Sequence, residues 1–544
     1  MAFPDFPPTL PELLRRAAAK HGDRIFLTLG ERRLSYRAAA AESAQLARAL
    51  LARGVGKGTR VGVLMPNGPD FGVAFLAAAR IGALAIPINT FFKARELGWV
   101  LRHADVHTLL CWDQLLGNDY LERLESAAPS LAGQRPGALV APELPYLRQV
   151  VVWGKSLRGF AERSEDFVAG GARSAFDAEF LARVEEQVSP ADPLVIVYSS
   201  GSTAEPKGAV HSHGSVVRHA VNTNQFRDAV ADDRMWAPMP FFWVGGLVFT
   251  FVSAMDVGYA LVCETHFEPS ATLAMLERER VTIGGAWPQY IQALASHPDF
   301  RTRDLSSLRL GNLLDALQGV RRAPEMRANS LGMTETCGPH TIDRMDVDLP
   351  EHQRGSFGRS VPGVEHKVVD PETGATLPPG TPGEICVRGY SLMQGLYKRE
   401  REEVFDADGF YHTGDVGHFN AEGLLYFQAR LGEMIKTGGA NVTPREVEIV
   451  LDQLPGVQSS FVVGIPHPTR GQNVAAAIVP AEGAAALDAE ALRGLLRAEL
   501  AAYKLPRHLY FYPREELPFT DSGKIDRKKL TLLLAERVAR DSSA

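Results

Sequence analysis

Hydrophobic and polar positions in the first 200 residues fall into blocks that favour alternating helices and strands. Strands that alternate with amphipathic helices are typical of a parallel sheet covered by helices. The predicted elements are a helix over 36–53, a buried strand over 60–65, a helix over 71–82, and apolar strand-like runs at 83–88, 150–153 and 193–198.

The pattern changes twice in the second half of the chain. Residues 355–430 are dense in Gly, Pro and β-branched residues, which favours antiparallel sheet. Beyond them the sequence predicts a helix over 443–454, a strand over 459–465 and a helix over 487–503. We therefore predict an α/β protein in two parts. The large N-terminal body, 1–430, has parallel-sheet α/β layers plus a β-rich subdomain, and the small C-terminal domain, 431–544, is α+β.

One apolar stretch is long enough to cross a bilayer. Residues 235–255 carry no charge. Pro238, Pro240, Gly245 and Gly246 interrupt any continuous helix there. We interpret the stretch as buried core beside a site, and the N-terminus lacks the order of a signal peptide. We expect no transmembrane segment.

Composition narrows the class of protein. Of the 544 residues, 45% are hydrophobic and 22% charged, as in ordinary soluble globular proteins. The net charge of −6 gives no basic field, so we expect no nucleic-acid partner. The four cysteines lie too far apart in sequence for a CxxC metal or redox motif, which favours a reduced, cytoplasmic protein.

A loop of small residues, 199–208, follows the predicted strand 193–198 directly. Its hydroxyls, its free backbone N–H groups and Lys207 are suited to wrapping an anion. The loop is not a Walker A motif, because Pro206 precedes the lysine and Gly208 follows it. From composition alone, a flexible surface loop is an equal alternative.

Three further clusters are weak when taken singly. Thr334 and Glu335 offer a hydroxyl and a carboxylate suited to Mg²⁺ and a phosphate, although such a pair more often starts a helix. Asp415 and Arg430 suit a ribose, and the structural alternatives are a turn aspartate and a solvated arginine. Lys524 follows a Ser-Gly turn, where a lysine is usually only a solvated charge.

Together, the order of these motifs resembles the adenylate-forming superfamily of AMP-binding enzymes, with acyl-CoA synthetases, including fatty-acid–CoA ligases, among its members. The resemblance covers nearly the whole chain. It rests on the phosphate loop, the Gly-x-Thr-Glu cluster, the His-Thr-Gly-Asp motif at 412–415, the segment 430–448 and the Gly-Lys pair at 523–524. Pro66-Asn67 is one of several softer matches.

The resemblance implies an AMP-forming acid–thiol ligase that uses ATP, Mg²⁺ and CoA. The acid would first be adenylated with release of pyrophosphate, and the acyl group would then pass to CoA with release of AMP. The implied catalytic residues are Lys524, Thr334 and Glu335, with Glu335 as metal ligand. The implied nucleotide- and CoA-binding residues are Ser199, Ser200, Gly201, Ser202, Thr203, Lys207, Gly311, Leu331, Gly332, Thr334, Asp415, Arg430, Lys436, Gly438 and Gly439.

The resemblance also implies that the C-terminal domain is mobile. It would present Lys524 for adenylation and the Gly438-Gly439 face for thiolation. The sequence departs from the family pattern in several places, including the hinge and the adenine site. Gly432 stands at the hinge, where Asp or Lys is usual, and Leu331 replaces the usual aromatic residue. Gly311 is the nearest candidate for the adenine segment.

We infer the substrate class from residues 240–246, which align with the stretch that lines the acyl pocket in the family. The segment contains no aspartate to bind an α-ammonium group, so an α-amino acid is not expected. Aromatic side chains there predict an apolar pocket for a fatty, aryl or alicyclic acid. The implied substrate residues are Phe242, Trp243, Gly245, Gly246 and Trp287, of which Trp287 is equally explained as core.

The acceptor and the assembly are inferred more weakly. No carrier domain follows Lys524, which favours free CoA. The alternatives are a ligase that loads a separate carrier protein, and a non-catalytic nucleotide- or acyl-binding homologue. A homodimer is a further expectation.

Overall fold

A computed structural model describes residues 3–199, 206–320, 330–344, 347–437, 440–442, 444–468, 470–483, 488–500, 504–520 and 523–543. The chain forms two compact units. The first is Met1–Glu365 with Val387–Tyr411, and the second is His366–Cys386 with His412–Ala544. The predicted domain boundary between residues 430 and 431 differs from the boundary between these two units, and it stays a prediction.

An eight-stranded sheet forms the centre of the first unit. Its middle strands pair in parallel, which confirms the predicted α/β architecture. The last two strands on one side are antiparallel. In spatial order the strands are Gly395–Leu396, Lys207–Ser212, Pro193–Ser199, Leu84–Pro87, Arg60–Leu64, Thr108–Trp112, Gln149–Trp153 and Glu162–Arg163.

Smaller sheets complete the first unit. A four-stranded sheet has the order Arg234–Trp236, Ala260–Cys263, Ile25–Leu29 and Arg32–Ser35. A three-stranded sheet has the order Leu331–Met333, Gly338–Ile342 and Arg359–Ser360, and Gln114–Leu115 pairs with Asn118–Asp119.

Helices pack around these sheets because each helix has an apolar face that is stabilised by burial against the sheet. The helix Tyr36–Ala52 begins where the Ser35 side chain accepts a hydrogen bond from the Ala38 N–H, and it buries seven residues. The helices of the first unit are Leu10–His21, Tyr36–Ala52, Pro69–Arg80, Ala94–His103, Tyr120–Ala127, Ser164–Ala172, Ala178–Glu186, His213–Asn224, Val244–Gly246, Ser253–Val257, Pro269–Arg278, Pro288–Ser296 and Asn312–Gln318.

The uncharged stretch 235–255 is a broken, buried segment, as predicted. It contains the end of the strand Arg234–Trp236, an irregular turn, the short helix Val244–Gly246, and a π-helical turn over Leu247–Val252. Among the described residues, no helix combines the length and the apolar character that a membrane crossing needs.

The second unit contains most of a four-stranded sheet and a complete five-stranded sheet. The first has the order Val364–Val369, Gly383–Gly389, Tyr411–Phe419 and Leu425–Arg430, and its last two strands are antiparallel, as predicted for 355–430. In the second, the long hairpin Val457–His467 and Gly471–Pro480 is flanked by Ile435–Thr437, Ala440–Val442 and His508–Phe511.

Three helices cover the five-stranded sheet on both faces. Alternate residues of the strand Gly471–Pro480 enter two different cores, as the period of two in a strand requires. Ile478 packs in the core that contains Leu451 and Leu496, and Ala477 packs in the core that contains Leu530. The helices are Pro444–Asp452, Ala489–Glu499 and Arg527–Ser543.

Candidate functional site

Thr334 and Glu335 lie at the tip of a tight hairpin in the first unit. A 3-10 turn over Thr334–Thr336 joins the antiparallel strands Leu331–Met333 and Gly338–Ile342. The buried Thr336 hydroxyl closes the turn. It donates to the Gly338 carbonyl oxygen at 2.7 Å and accepts from the Met333 N–H at 3.3 Å. The hairpin therefore holds the two predicted catalytic residues side by side.

His211 supports this hairpin from the central sheet, and sequence reasoning missed it. Its Nε2 donates to the Thr334 carbonyl oxygen at 2.8 Å. Burial lowers the pKa of the fully enclosed imidazole to about 4, so the ring is neutral at pH 7. The available signal was a histidine on the strand that follows the phosphate loop. His211 is a positioning residue, because it contacts the backbone of Thr334.

The side chains at the hairpin tip fit a hard cation. Neither the Thr334 hydroxyl nor the Glu335 carboxylate is paired with another residue in the described part of the chain. The Glu335 main chain is held in place, since its carbonyl oxygen accepts from the Met393 N–H at 2.9 Å. An unengaged carboxylate and hydroxyl are the oxygen donors that Mg²⁺ prefers.

Lys207 and Ser199 stand opposite each other at the base of the predicted phosphate loop. They are register partners of two antiparallel strands. The predicted loop residues Ser200, Gly201, Ser202 and Thr203 lie outside the described residues. Lys207 borders a cavity of about 560 Å³ that Trp99 and Arg399 also line. The lysine is thus positioned beside space that can admit a ligand.

Asn67 anchors the predicted acyl segment. Its Nδ2 donates to the Met239 carbonyl oxygen at 2.7 Å, and its Oδ1 accepts from the Phe241 N–H at 2.7 Å. Asn67 is buried, so water competes little for these two hydrogen bonds. The sequence matched Pro66-Asn67 to the family pattern but assigned the pair no role.

The predicted substrate side chains form one aromatic row. Ring centroids are 5.2 Å apart for Phe242 and Trp243, 6.0 Å for Trp243 and Trp287, and 5.4 Å for Trp287 and Tyr290. All three contacts are edge-to-face, a favourable arrangement for aromatic rings. Phe242 is buried, while Trp243 and Trp287 are half-buried and keep surface for a ligand.

Gly246 is required by a close backbone approach in the same segment. A Cβ atom there would collide with the Pro240 carbonyl oxygen. The neighbouring Gly245 is less constrained by sterics, and its carbonyl oxygen accepts from the Thr250 hydroxyl at 3.1 Å. This bond spans five residues, in keeping with the π-helical turn that begins at Leu247.

Gly311 lies at the end of a short parallel ladder. Leu310 bridges Ile283, which in turn bridges Met235. Gly311 itself has φ of 101°, and a Cβ atom would collide with the Gly284 carbonyl. Its role in holding adenine stays a prediction, as do the roles of the partly buried Leu331 and the exposed Gly332.

Asp415 and Arg430 form an ion pair in the second unit. They are register partners across the strands Tyr411–Phe419 and Leu425–Arg430, and Arg430 Nε lies 2.7 Å from Asp415 Oδ1. The Asp415 side chain is 4% exposed and that of Arg430 is 53% exposed. The Thr413 hydroxyl accepts from the Asp415 N–H at 3.0 Å and holds the strand backbone beside the ion pair. The pair offers an acceptor and a donor at one point of the sheet.

Lys436 and Lys524 both present exposed ammonium groups from the second unit. The Lys436 N–H donates to Gln472 Oε1 at 2.8 Å. The Lys524 carbonyl oxygen accepts from the Thr520 N–H at 2.7 Å, and among the described residues no partner engages the Lys524 ammonium. The predicted Gly438 and Gly439 lie outside the described residues.

Both parts of the chain match a known family. Residues 14–397 match the AMP-binding enzyme model, and residues 446–524 match the AMP-binding enzyme C-terminal domain. The chain belongs to the AMP-binding, adenylate-forming enzyme family, which confirms the resemblance found in the sequence.

Full-length relatives and a solved structure agree with this membership. Indoleacetate–CoA ligase of Aromatoleum aromaticum is 31% identical over 97% of this chain and 98% of its own. The mitochondrial medium-chain acyl-CoA ligase ACSF2 of Bos taurus is 30% identical over 92% and 82%. The crystal structure of the anthranilate CoA ligase AuaEII with anthranoyl-AMP superimposes with a TM-score of 0.81 at 26% identity, covering 99% of each chain.

Proposed function

We propose that the protein is an ATP-dependent, AMP-forming acyl-CoA ligase for a hydrophobic carboxylic acid. The observation that carries the proposal is the similarity to CoA ligases over nearly the whole chain. The chain also keeps the charged and hydroxyl side chains of the family motifs: Lys207, Thr334, Glu335, Asp415, Arg430 and Lys524. A homologue that had lost catalysis would be expected to have lost some of them.

The chemistry requires two steps because a free carboxylate resists attack by a thiol. The carboxylate oxygen attacks the α-phosphorus of ATP, the bond to pyrophosphate breaks, and an acyl-adenylate forms. The CoA sulfur then attacks the acyl carbon, the thiol proton is lost, and AMP leaves. The protein contributes position and electrostatic stabilisation rather than a covalent intermediate.

Residues of the first unit would bind the phosphates. The Thr334 hydroxyl would contact the α-phosphate, and the Glu335 carboxylate would hold Mg²⁺, which neutralises phosphate charge when it is bound. Lys207 would approach the β- and γ-phosphates. His211 would hold the Thr334 backbone in place in both steps, because its hydrogen bond to the Thr334 carbonyl oxygen is present without any ligand.

Residues of the second unit would hold the ribose and assist the first step. Asp415 would accept from ribose hydroxyls, and Arg430 would add a donor. The Lys524 ammonium would reduce the repulsion between two anions, the carboxylate and the α-phosphate. We include in the proposal a rotation of 431–544 between the steps, with Lys436, Gly438 and Gly439 serving the thiolation state.

The aromatic row supports an apolar acid. Trp243 and Trp287 supply large ring faces, and no charged residue belongs to the row. The acids in the relatives' names include an indole acid and medium-chain acids, so ring-bearing and fatty acids are the classes to test first.

Pyrophosphate release with Mg·ATP tests the function directly. A panel of short, medium and long fatty acids, benzoates, arylacetates and alicyclic acids is assayed with and without CoA. Catalytic release that depends on CoA supports the acyl-CoA ligase. Turnover that requires a carrier protein instead of CoA, or ATP binding without any release, would contradict it.

Compartment and assembly belong to the same proposal. All four cysteines, Cys111, Cys263, Cys337 and Cys386, lie among the described residues, are buried and form no disulfide, which supports a reducing compartment such as the cytoplasm. The expected homodimer is checked by light scattering of the purified chain. A monomer at micromolar concentration would exclude it.

A further inference from the structure

A thiol, an imidazole and a carboxylate converge in the second unit, outside the residues assigned to nucleotide or acid. They belong to Glu384, Cys386 and His412, whose candidate ligand atoms all lie within 4.8 Å of one another. Among the described residues, this is the one group of three such side chains with that spacing. Neither the family motifs nor the proposed chemistry requires a cysteine here.

Strand geometry explains why the three side chains meet. Glu384 and Cys386 are two residues apart on the strand Gly383–Gly389 and therefore project to the same face. His412 is on Tyr411–Phe419, the neighbouring strand of the same sheet. The backbone thus fixes the spacing without a loop.

The distances are close to those of a tetrahedral zinc site. His412 Nδ1 lies 3.5 Å from Cys386 Sγ and 2.7 Å from Glu384 Oε2. Bond lengths of about 2.3 Å to sulfur and 2.0 Å to nitrogen place those two ligand atoms about 3.5 Å apart in a tetrahedron. The sulfur and nitrogen are therefore already at the required separation, and the carboxylate oxygen, which lies 2.7 Å from the nitrogen, would move away from it to join the same ion.

We propose that Glu384, Cys386 and His412 form a binding site for a divalent cation of the Zn²⁺ class. One thiolate, one imidazole and one carboxylate select a borderline metal over Mg²⁺, which prefers oxygen donors alone. The thiol proton leaves to solvent when the metal binds, and water fills the fourth position.

The surroundings provide both access and support. The His412 side chain is 41% exposed, so an ion can enter from its side although Cys386 is fully buried. Glu384 Oε1 accepts from the Gly414 N–H at 3.0 Å, which orients the carboxylate. Gly414 directly precedes Asp415, so the site adjoins the proposed ribose ligand.

Cobalt spectroscopy of the full-length chain tests this site without an activity assay. The protein is stripped with a chelator and titrated with Co²⁺, whose bond to a thiolate gives a charge-transfer absorption band. Zn²⁺ should displace the cobalt and abolish the band. The test variant is Cys386→Ala, and the matched control is Cys111→Ala, which removes a thiol that is also buried.

We expect the wild type and Cys111→Ala to show the band with one equivalent of Co²⁺, and Cys386→Ala to lack it. We also expect His412→Asn to weaken Zn²⁺ binding by more than about 100-fold in calorimetry, beyond the cost of losing a merely supporting group. Far-UV circular dichroism confirms that each variant is folded. A wild type without the band, or a folded Cys386→Ala that keeps it, would overturn the proposal.

Discussion

Asp415 and Arg430 face each other across one antiparallel strand pair, with Arg430 Nε 2.7 Å from Asp415 Oδ1. The Asp415 carboxylate is nearly fully buried, whereas the Arg430 guanidinium is about half exposed to solvent. A purely solvated arginine would have no reason to lie opposite Asp415 in the strand register. The pair is pre-positioned, and a ligand that binds it need not order either side chain.

Removing the carboxylate tests the ribose assignment. Asp415→Ala should raise the ATP concentration needed for half-maximal pyrophosphate release by about 10- to 100-fold, because charge-assisted hydrogen bonds contribute about 1.5–3 kcal/mol each. ATP titration calorimetry checks the loss independently of turnover.

Arg430→Ala should produce a smaller loss, since water reaches its half-exposed guanidinium. Arg278→Ala is the matched control, because Arg278 is also 53% exposed, pairs with the nearly buried Glu279 and ends the helix Pro269–Arg278, which carries none of the family motifs. Equal ATP affinity in wild type and Asp415→Ala would remove Asp415 from the nucleotide site.

Elements with strong periodicity were predictable from the sequence. The helix predicted over 36–53 is Tyr36–Ala52, and the strand predicted over 193–198 is Pro193–Ser199. The strand predicted over 459–465 is longer, Val457–His467, because pairing with Gly471–Pro480 extends it beyond its apolar centre. Pairing partners are distant in sequence and leave no local signal.

The supporting contacts of the site were not predictable. His211 bonds a carbonyl 123 positions away, and Asn67 bonds carbonyls about 170 positions away. A family motif identifies which side chains carry the chemistry, but a positioning residue is recognised only by what it touches. The sequence assigned both Trp243 and Trp287 to the acyl pocket, but their direct ring contact was visible only in the fold, since they lie 44 positions apart.

Lys524 provides a test of the two-step mechanism. Lys524→Ala should slow adenylation by about 10²- to 10³-fold, because a preorganised charge at the reacting anions is lost. Thiolation that starts from supplied acyl-adenylate should survive better. The side chain is exposed, so folding should be unaffected.

Rapid-quench measurement of each half-reaction separates the two effects. Lys529→Ala, at an exposed lysine in the following helix, controls for loss of charge. An equal loss in both half-reactions of Lys524→Ala would contradict the assignment.

The aromatic row predicts substrate selectivity. The wild type should use a ring-bearing acid far better than acetate. Trp243→Ala should lower kcat/KM for that acid by about 10- to 200-fold, since a lost apolar contact contributes about 1–3 kcal/mol, and should change acetate little. Competition assays with paired acids measure the ratio directly.

Trp153→Ala is the control, because Trp153 is a half-buried tryptophan at the end of a strand in the central sheet. A uniform loss for all acids in Trp243→Ala would indicate a packing role instead of a pocket role.

Buried histidines predict a loss of stability in mild acid. Burial lowers the pKa of His211 to about 4 and that of His213 and His219 to about 3. In the unfolded chain each of these histidines binds a proton near pH 6.5, whereas in the folded chain it stays neutral to lower pH. The free energy of unfolding is therefore greatest above pH 6.5 and falls as the pH is lowered toward the folded-state pKa values. Each histidine should contribute up to about 2 kcal/mol of loss between pH 6.5 and pH 5.

Urea unfolding at pH 7 and at pH 5 measures this slope. His211→Gln should flatten it, while His266→Gln, at an exposed histidine, should leave it unchanged. If the wild type, His211→Gln and His266→Gln all lose the same free energy of unfolding between pH 7 and pH 5, His211 does not resist protonation in the folded chain.

Gly432 gives a prediction about motion. It lies in the exposed 3-10 turn Leu431–Glu433, directly after Arg430, and a Cβ atom there would meet nothing within 4 Å. Its φ is not in the left-handed region, so alanine should fit without strain. Gly432→Ala should therefore keep or slightly raise stability while it reduces the backbone freedom of the turn.

If the turn is the hinge, CoA-dependent turnover should fall by about two- to fivefold, the factor that corresponds to 0.4–1 kcal/mol of backbone entropy. The first burst of adenylation should stay close to that of the wild type, since it needs no rotation between states. Gly56→Ala is the control, because Gly56 also has open space around its Cα and lies in the first unit. Matching kinetics for Gly432→Ala and Gly56→Ala would place the hinge elsewhere.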